Sequence, residues 1–220
     1  MKYNVVIWDF DGTLAYTCDD VWESIEYAAN VCNGKISEIF REKNSNLGKP
    51  MEEIFKAIEP FPGNGMFEIF QEQIRIHYRE ISDYPNTMFY PGILELLQYL
   101  TENSIKCYII SLKPVEALER ILVKKGWEGY FDGWFSPDSF KECEKTKSEL
   151  ISHLIKKSHF LPEETVYIGD TYSDVIAAKD NGVDCIGVTY GDGEAEKLLE
   201  AAPMAVVDDV YEICQLISEV

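Results

Sequence analysis

The stretch Val5–Thr17, VVIWDFDGTLAYT, limits the possible folds more than any other part of the chain. Val5, Val6, Ile7 and Trp8 form an uninterrupted apolar run, the pattern of a strand covered on both faces. Such strands belong to parallel sheets flanked by helices. The run ends in two acids, Asp9 and Asp11, with Gly12 and Thr13 directly behind. If the strand continues through them, their two-residue spacing puts both carboxylates on one side, roughly 6–7 Å apart. At an effective dielectric of about 20 they would repel by roughly 2–3 kcal/mol. A pair of this kind at the edge of a core implies a counterion or a chemical task.

The C-terminal part supports the same fold class. Cys107–Ser111 (CYIIS), Thr165–Asp170 (TVYIGD), Cys185–Thr189 (CIGVT) and Met204–Asp208 (MAVVD) read as strands. Between them lie helical patterns, one opened by Pro114 and closed by Gly126, another running up to Gly182. This alternation predicts an α/β protein with a doubly wound parallel sheet. The stretch from Tyr16 to Met88 has no convincing strand and several amphipathic helical runs. In one of them Phe67, Phe70, Ile74, Tyr78 and Ile81 form a single apolar stripe. Asn46–Pro50 reads as a turn with Pro50 at the first helical position. Asp83–Gly92, rich in proline and turn formers, reads as a return hinge. The expected division is therefore an α/β core over 1–15 and 89–220 and an inserted all-helical domain over 16–88.

The chain has 220 residues, 46% of them hydrophobic, enough for a substantial core. Its 20 basic and 39 acidic residues leave a formal charge of −19, with no basic block, so nucleic acid is not an expected partner. No apolar run approaches the ~18 residues of a membrane span, and no leader pattern is evident, so membrane association is not expected either. Six scattered cysteines without a C-x-x-C pair fit a reduced, cytoplasmic protein, with Cys107 and Cys185 as buried thiols. His77 reads as packed, His153 and His159 as solvated. Nothing resembles a Ser-His-Asp or Cys-His arrangement. The sequence leaves the oligomeric state open.

Polar residues stand where three of the strands end: Asp9 and Asp11, then Ser111, then Asp170 with Asp174 four residues on. Parallel sheets bind ligands at the carboxyl ends of their strands, so these groups should converge. Four converging carboxylates call for a hard divalent cation with oxygen ligands, Mg²⁺ in a cell. One aspartate can then ligate the metal and attack a substrate while the other shuttles a proton. Gly12 allows a sharp turn, and Thr13 offers a hydroxyl. A lysine is available at Lys145 or Lys147. Thr146–Glu149 matches a T-x-x-E capping box, which makes Lys147 the first helical residue. A cation there opposes the helix dipole unless anions such as Asp170 and Asp174 hold it, which favours Lys147 over Lys145. Lys113 reads as solvated at least as readily as a site residue.

The ordered set DFDGT, CYIISLK, a lysine before a helix, and YIGDTYSD resembles the haloacid dehalogenase-like phosphatases, in particular the phosphoglycolate-phosphatase-like branch with a helical cap. The resemblance implies Asp9 as nucleophile through an aspartyl-phosphate and Asp11 as general acid and then base. It implies Ser111 and Lys147, with Gly12 and Thr13, around the substrate phosphate. It implies Mg²⁺ held by Asp9, Asp11 (through its backbone carbonyl) and Asp170, with Asp174 supporting or joining. Dehalogenases of this superfamily lack the second aspartate, so phosphoryl transfer from a small phosphorylated metabolite is the implied reaction. A phosphosugar mutase of the same family is the enzymatic alternative. A receiver-like phospho-aspartate module is the alternative from another class, against which the D-x-D spacing and the helical insertion both speak. The second motif departs from the branch pattern S-N-K, reading Ser111-Leu112-Lys113.

Overall fold

The apolar run after Asn4 is a strand, and it stops at Trp8 instead of continuing through the acids. The computed structural model describes residues 2–140 and 143–218. Along the chain its strands are β1 (Val5–Trp8), β2 (Ala15–Tyr16), β3 (Lys35–Ile36), β4 (Ile58–Glu59), β5 (Met88–Phe89), β6 (Lys106–Ile110), β7 (Gly133–Phe135), β8 (Thr165–Gly169), β9 (Asp184–Val188) and β10 (Ala205–Val207). The chain divides into two compact units, Met1–Tyr16 with Met88–Val220, and Thr17–Thr87.

In the first unit, six strands form one sheet in the order β10-β9-β8-β1-β6-β7, and every pairing is parallel. The order reverses about β1, with β6 and β7 on one side and β8 to β10 on the other. Reversal points of this kind leave a crevice at the carboxyl ends of the strands. Every residue of β1 and β8 is buried, as continuous apolar runs demand. Ile7, Ile110 and Tyr167 pack with Leu150, Leu154 and Val175 from the helices Lys147–Ser158 and Tyr172–Lys179. Pro114 and Gly126 bracket the helix Val115–Lys125 as read, Gly126 taking the left-handed conformation at φ +68°. β7 was not foreseen; it is short, half-buried and at the sheet edge, so its apolar signal is weak. β2 and β5 pair antiparallel, placing strand structure within the Pro-rich return segment.

The second unit is mainly helical. The helix Cys18–Val31 carries Trp22, Ile25 and Ala29 into a core shared with Ile54, Phe55 and Phe70. Phe55 sits at 5.3 Å from the rings of both Phe67 and Phe70. The expectation of no strand here is corrected by a short ribbon, Ile36 pairing with Ile58 and Lys35 with Glu59. Two residues per strand are too few to show a period in sequence. Pro50 stands one residue before the helix Met51–Lys56, not at its first helical position as read, and a 3₁₀ turn, Asn44–Gly48, precedes it. The apolar stripe holds through Tyr78 and then fails: Ile81 is 51% exposed. A π turn, His77–Ile81, closed by the Ser82 N–H donating to the His77 carbonyl at 2.8 Å, widens the helix and rotates Ile81 out of register. His77 is packed as read, against the Tyr27 ring, with Nδ1 2.9 Å from Ser24 Oγ.

Asp20, fully buried in the first turn of Cys18–Val31, accepts four hydrogen bonds. They come from the Asn86 N–H and amide (3.1 and 3.0 Å) and the Thr87 N–H and hydroxyl (2.7 and 2.6 Å). Asp20→Ala strands four donors, two of them backbone, and should destabilise this unit by about 3 kcal/mol or more. Hydrogen exchange of the Trp22–Ala29 amides checks it, with a rise of roughly 10²-fold expected. A change within twofold would mean that the buried carboxylate contributes little.

Candidate active site

The strand ladder ends at Trp8, but the Asp9 N–H still donates to the Ile168 carbonyl at 2.9 Å, so Asp9 stays aligned with the end of β8. Beyond it the chain curls. The Phe10 carbonyl accepts from the N–H groups of both Leu14 and Ala15, and Gly12 takes φ +75°. Asp9 and Asp11 therefore do not share one face of a strand. Asp9 is buried, whereas the Asp11 side chain is 39% exposed.

Asp170 and Asp174 converge on Asp9. Asp170 follows the last residue of β8; Asp174 lies in the first turn of the next helix and accepts from the Thr171 N–H and hydroxyl at 3.0 and 2.6 Å. One carboxylate oxygen from each of Asp9, Asp170 and Asp174 lies within 4.8 Å of the others. At a dielectric near 20, each charged pair at that spacing repels by about 3 kcal/mol or more. The Asp11 carboxylate lies outside this group.

Lys147 bridges two of the acids. Its buried Nζ is 3.0 Å from Asp9 Oδ2 and 2.5 Å from Asp174 Oδ1. Thr146 caps the helix with the expected box: Glu149 N–H donates to Thr146 Oγ1 at 3.2 Å, and the Glu149 carboxylate accepts from the Thr146 N–H at 2.8 Å. The anionic partners are thus Asp9 and Asp174, where the sequence suggested Asp170 and Asp174. The Lys145 ammonium lies instead over the Phe140 ring, 4.9 Å from its centroid.

Asp170 has its own cradle. Its Oδ2 accepts from the N–H groups of Asp192 and Gly193 at 3.1 and 2.9 Å, and its Oδ1 from the Thr13 hydroxyl at 3.3 Å. A Cβ at Gly12 or Gly193 would collide with Asp170, so both approaches require glycine. Gly12 and Thr13 are placed against this carboxylate, and the Gly12 N–H donates to the Ala15 carbonyl at 3.1 Å. Ser111 is buried just past the end of β6, its hydroxyl accepting the Lys113 N–H at 3.1 Å.

One part of the site escaped the sequence reading. The loop Tyr190–Gly193 holds Asp170, and the Tyr190 hydroxyl donates to the Thr13 carbonyl at 3.0 Å. A glycine-rich G-x-G directly beyond a strand was the available signal. Lys113, which the sequence leaves open between a solvated lysine and a site residue, is buried with Nζ 2.9 Å from Asp11 Oδ1. His153, read as solvated, is half-buried against Phe140 and Phe135.

Burial pushes the Asp9 carboxyl up to about 8, against the pull of Lys147, with Asp174 and Asp170 adding to the rise. Asp170 is raised to about 6, again chiefly by burial and then by Asp174. Lys147 is raised because Asp9 and Asp174 outweigh its own burial. One ammonium cannot neutralise three buried carboxylates. The oxygen-only donor set therefore fits a hard divalent cation, which would draw the raised carboxyls back down.

A family model described as haloacid dehalogenase-like hydrolase matches residues 6–188. A 5'-nucleotidase of Pseudomonas aeruginosa is 26% identical over 217 residues, covering 99% of this chain and 96% of that one. Phosphoglycolate phosphatase 1 of the same organism is 28% identical over 58% of this chain and 46% of its own length, so the match spans under half of that protein. A solved structure from Clostridium difficile, assigned as a phosphatase, superposes with TM-score 0.86 at 25% identity, covering 99% of both chains. Among the described residues no helix is long and apolar enough to cross a membrane. With its motifs in order at the ends of β1, β6 and β8 and at the start of the helix Lys147–Ser158, the chain belongs to the haloacid dehalogenase-like hydrolases.

Proposed function

We propose that the protein hydrolyses a small phosphate monoester, phosphoglycolate-like or sugar-phosphate-like, in a Mg²⁺-dependent reaction through an aspartyl-phosphate at Asp9. The observation that carries this reading is the buried set Asp9, Asp170 and Asp174, joined by Lys147 at the carboxyl ends of β1 and β8. Asp9 and Asp170, with the Asp11 backbone carbonyl, would hold the cation, and Asp174 would support it while anchoring Lys147. Bound Mg²⁺ supplies a charge that offsets the acids and the phosphoryl oxygens.

In the first step an Asp9 carboxylate oxygen forms a bond to phosphorus. The bond from phosphorus to the leaving oxygen breaks, and that oxygen keeps the electron pair and takes a proton from Asp11. In the second, Asp11 takes a proton from water as the water oxygen bonds to phosphorus. The acyl-phosphate bond then breaks with its electrons returning to Asp9. Lys147 and Ser111 orient the phosphoryl oxygens. The segment Thr17–Thr87 is the proposed cap that selects the substrate.

A panel of about a hundred phosphorylated metabolites, read by phosphate release with Mg²⁺ and with excess EDTA, tests the proposal. Turnover of one or more small monoesters, lost in EDTA and restored by Mg²⁺, is expected. Full turnover in EDTA, or release from none of the panel, would overturn it.

A further inference from the structure

Lys113 is a buried cation outside the acid group around Asp9. Its side chain is 3% exposed, its Nζ lies 2.9 Å from Asp11 Oδ1, and the Phe10 ring is 5.8 Å away. The Lys113 N–H is committed too, donating to the Ser111 hydroxyl. Between these two buried residues Leu112 is 58% exposed. Ser111, Leu112 and Lys113 thus form one turn that orients the Ser111 hydroxyl through the backbone and delivers an ammonium to Asp11. Burying an ammonium costs several kcal/mol unless a partner compensates, whereas a solvated pair would need no burial. The pair is asymmetric: the lysine is enclosed and Asp11 is well exposed.

We propose that Lys113 is a positioning residue for the acid–base chemistry of Asp11. The inference rests on the reading of Asp11 given above. The Lys113 ammonium, 2.9 Å from Asp11 Oδ1, fixes the carboxyl that carries the travelling proton. From Asp11 that proton passes to the leaving oxygen as the bond from that oxygen to phosphorus breaks, and Asp11 then takes a proton from the attacking water. Lys113 touches neither substrate nor phosphorus in this scheme; it acts through Asp11.

A leaving-group comparison tests the assignment. An alkyl phosphate, β-glycerophosphate, needs a proton on its departing oxygen, whereas 4-nitrophenyl phosphate releases a stable anion. The parameter is kcat/KM, which reports only steps up to phosphorylation of Asp9. Lys113→Met should lower kcat/KM for β-glycerophosphate by about 10²-fold and that for 4-nitrophenyl phosphate far less, the loss expected of a misplaced general acid. Lys113→Arg should recover part of the alkyl activity. Asp11→Asn should show the same selectivity, and adding Lys113→Met to it should change nothing further. If Lys113→Met melts below the assay temperature, Lys113→Gln is compared through the same alkyl-to-aryl ratio. Equal losses on both probes, no loss on either, or additive losses in the double variant would overturn the proposal. A wild-type enzyme inert toward both probes, or a neutral Asp11→Asn, would sink the acid–base reading of Asp11 and the tether with it.

Discussion

Asp9→Asn should reduce turnover of the best substrate by roughly 10⁴-fold or more, the scale seen when a covalent nucleophile is removed. The amide is nearly isosteric and should keep the backbone link to the Ile168 carbonyl and the packing at the end of β1. It cannot form an acyl-phosphate. The substitution also removes one charge from a crowded acid group, so thermal stability should hold or rise in the absence of divalent cation. Loss of activity with an unchanged or higher melting temperature separates chemistry from folding. Near-normal turnover would show that another residue attacks phosphorus.

The second large effect concerns the lysine. Lys147→Ala should lower kcat/KM by roughly 10²–10³-fold, as expected for one lost electrostatic contact to the transferring group. It should also cost stability, about 3 kcal/mol without divalent cation, because it leaves Asp9 and Asp174 buried and uncompensated. Added Mg²⁺ should return part of that stability. Lys145→Ala should behave nearly like wild type, since its ammonium lies on Phe140 and is not one of the groups bridging the acids. Kinetics of both variants, with melting curves at low and high Mg²⁺, check the pair. The reverse pattern would move the phosphate-binding lysine by two residues.

Much of this arrangement was legible beforehand for identifiable reasons. Long apolar runs such as VVIW and TVYI are unambiguous because both faces of a central strand are buried, and the Thr146–Glu149 box placed Lys147 at a helix start. Short elements were missed: β3, β4 and β7 have two or three residues each, too few for a period. The π turn at His77–Ile81 was invisible because the side-chain pattern up to Tyr78 is that of an ordinary helix. In the site, chain-local features were read and long-range ones were not. Lys113 looks like any solvated lysine until the fold brings Asp11 to it, and the Gly191–Gly193 loop acquires meaning only when β9 sets it against Asp170. The strand-based placement of Asp9 and Asp11 failed because the Phe10 carbonyl turns the chain immediately after Asp9.

The aspartyl-phosphate at Asp9 is the central claim, and trapping it is the direct test. In the Asp11→Asn variant the second step lacks its base, so the intermediate should accumulate when it is formed from 4-nitrophenyl phosphate, whose departing oxygen needs no proton. That variant, mixed with Mg²⁺ and 4-nitrophenyl phosphate, is quenched in acid and reduced with borohydride, which converts a phosphorylated aspartate to homoserine, and its peptides are read by mass spectrometry. The predicted result is homoserine at position 9, dependent on both substrate and Mg²⁺. Modification at a different residue, or an unmodified Asp9 in a sample that has released its leaving group in a burst, would contradict the account.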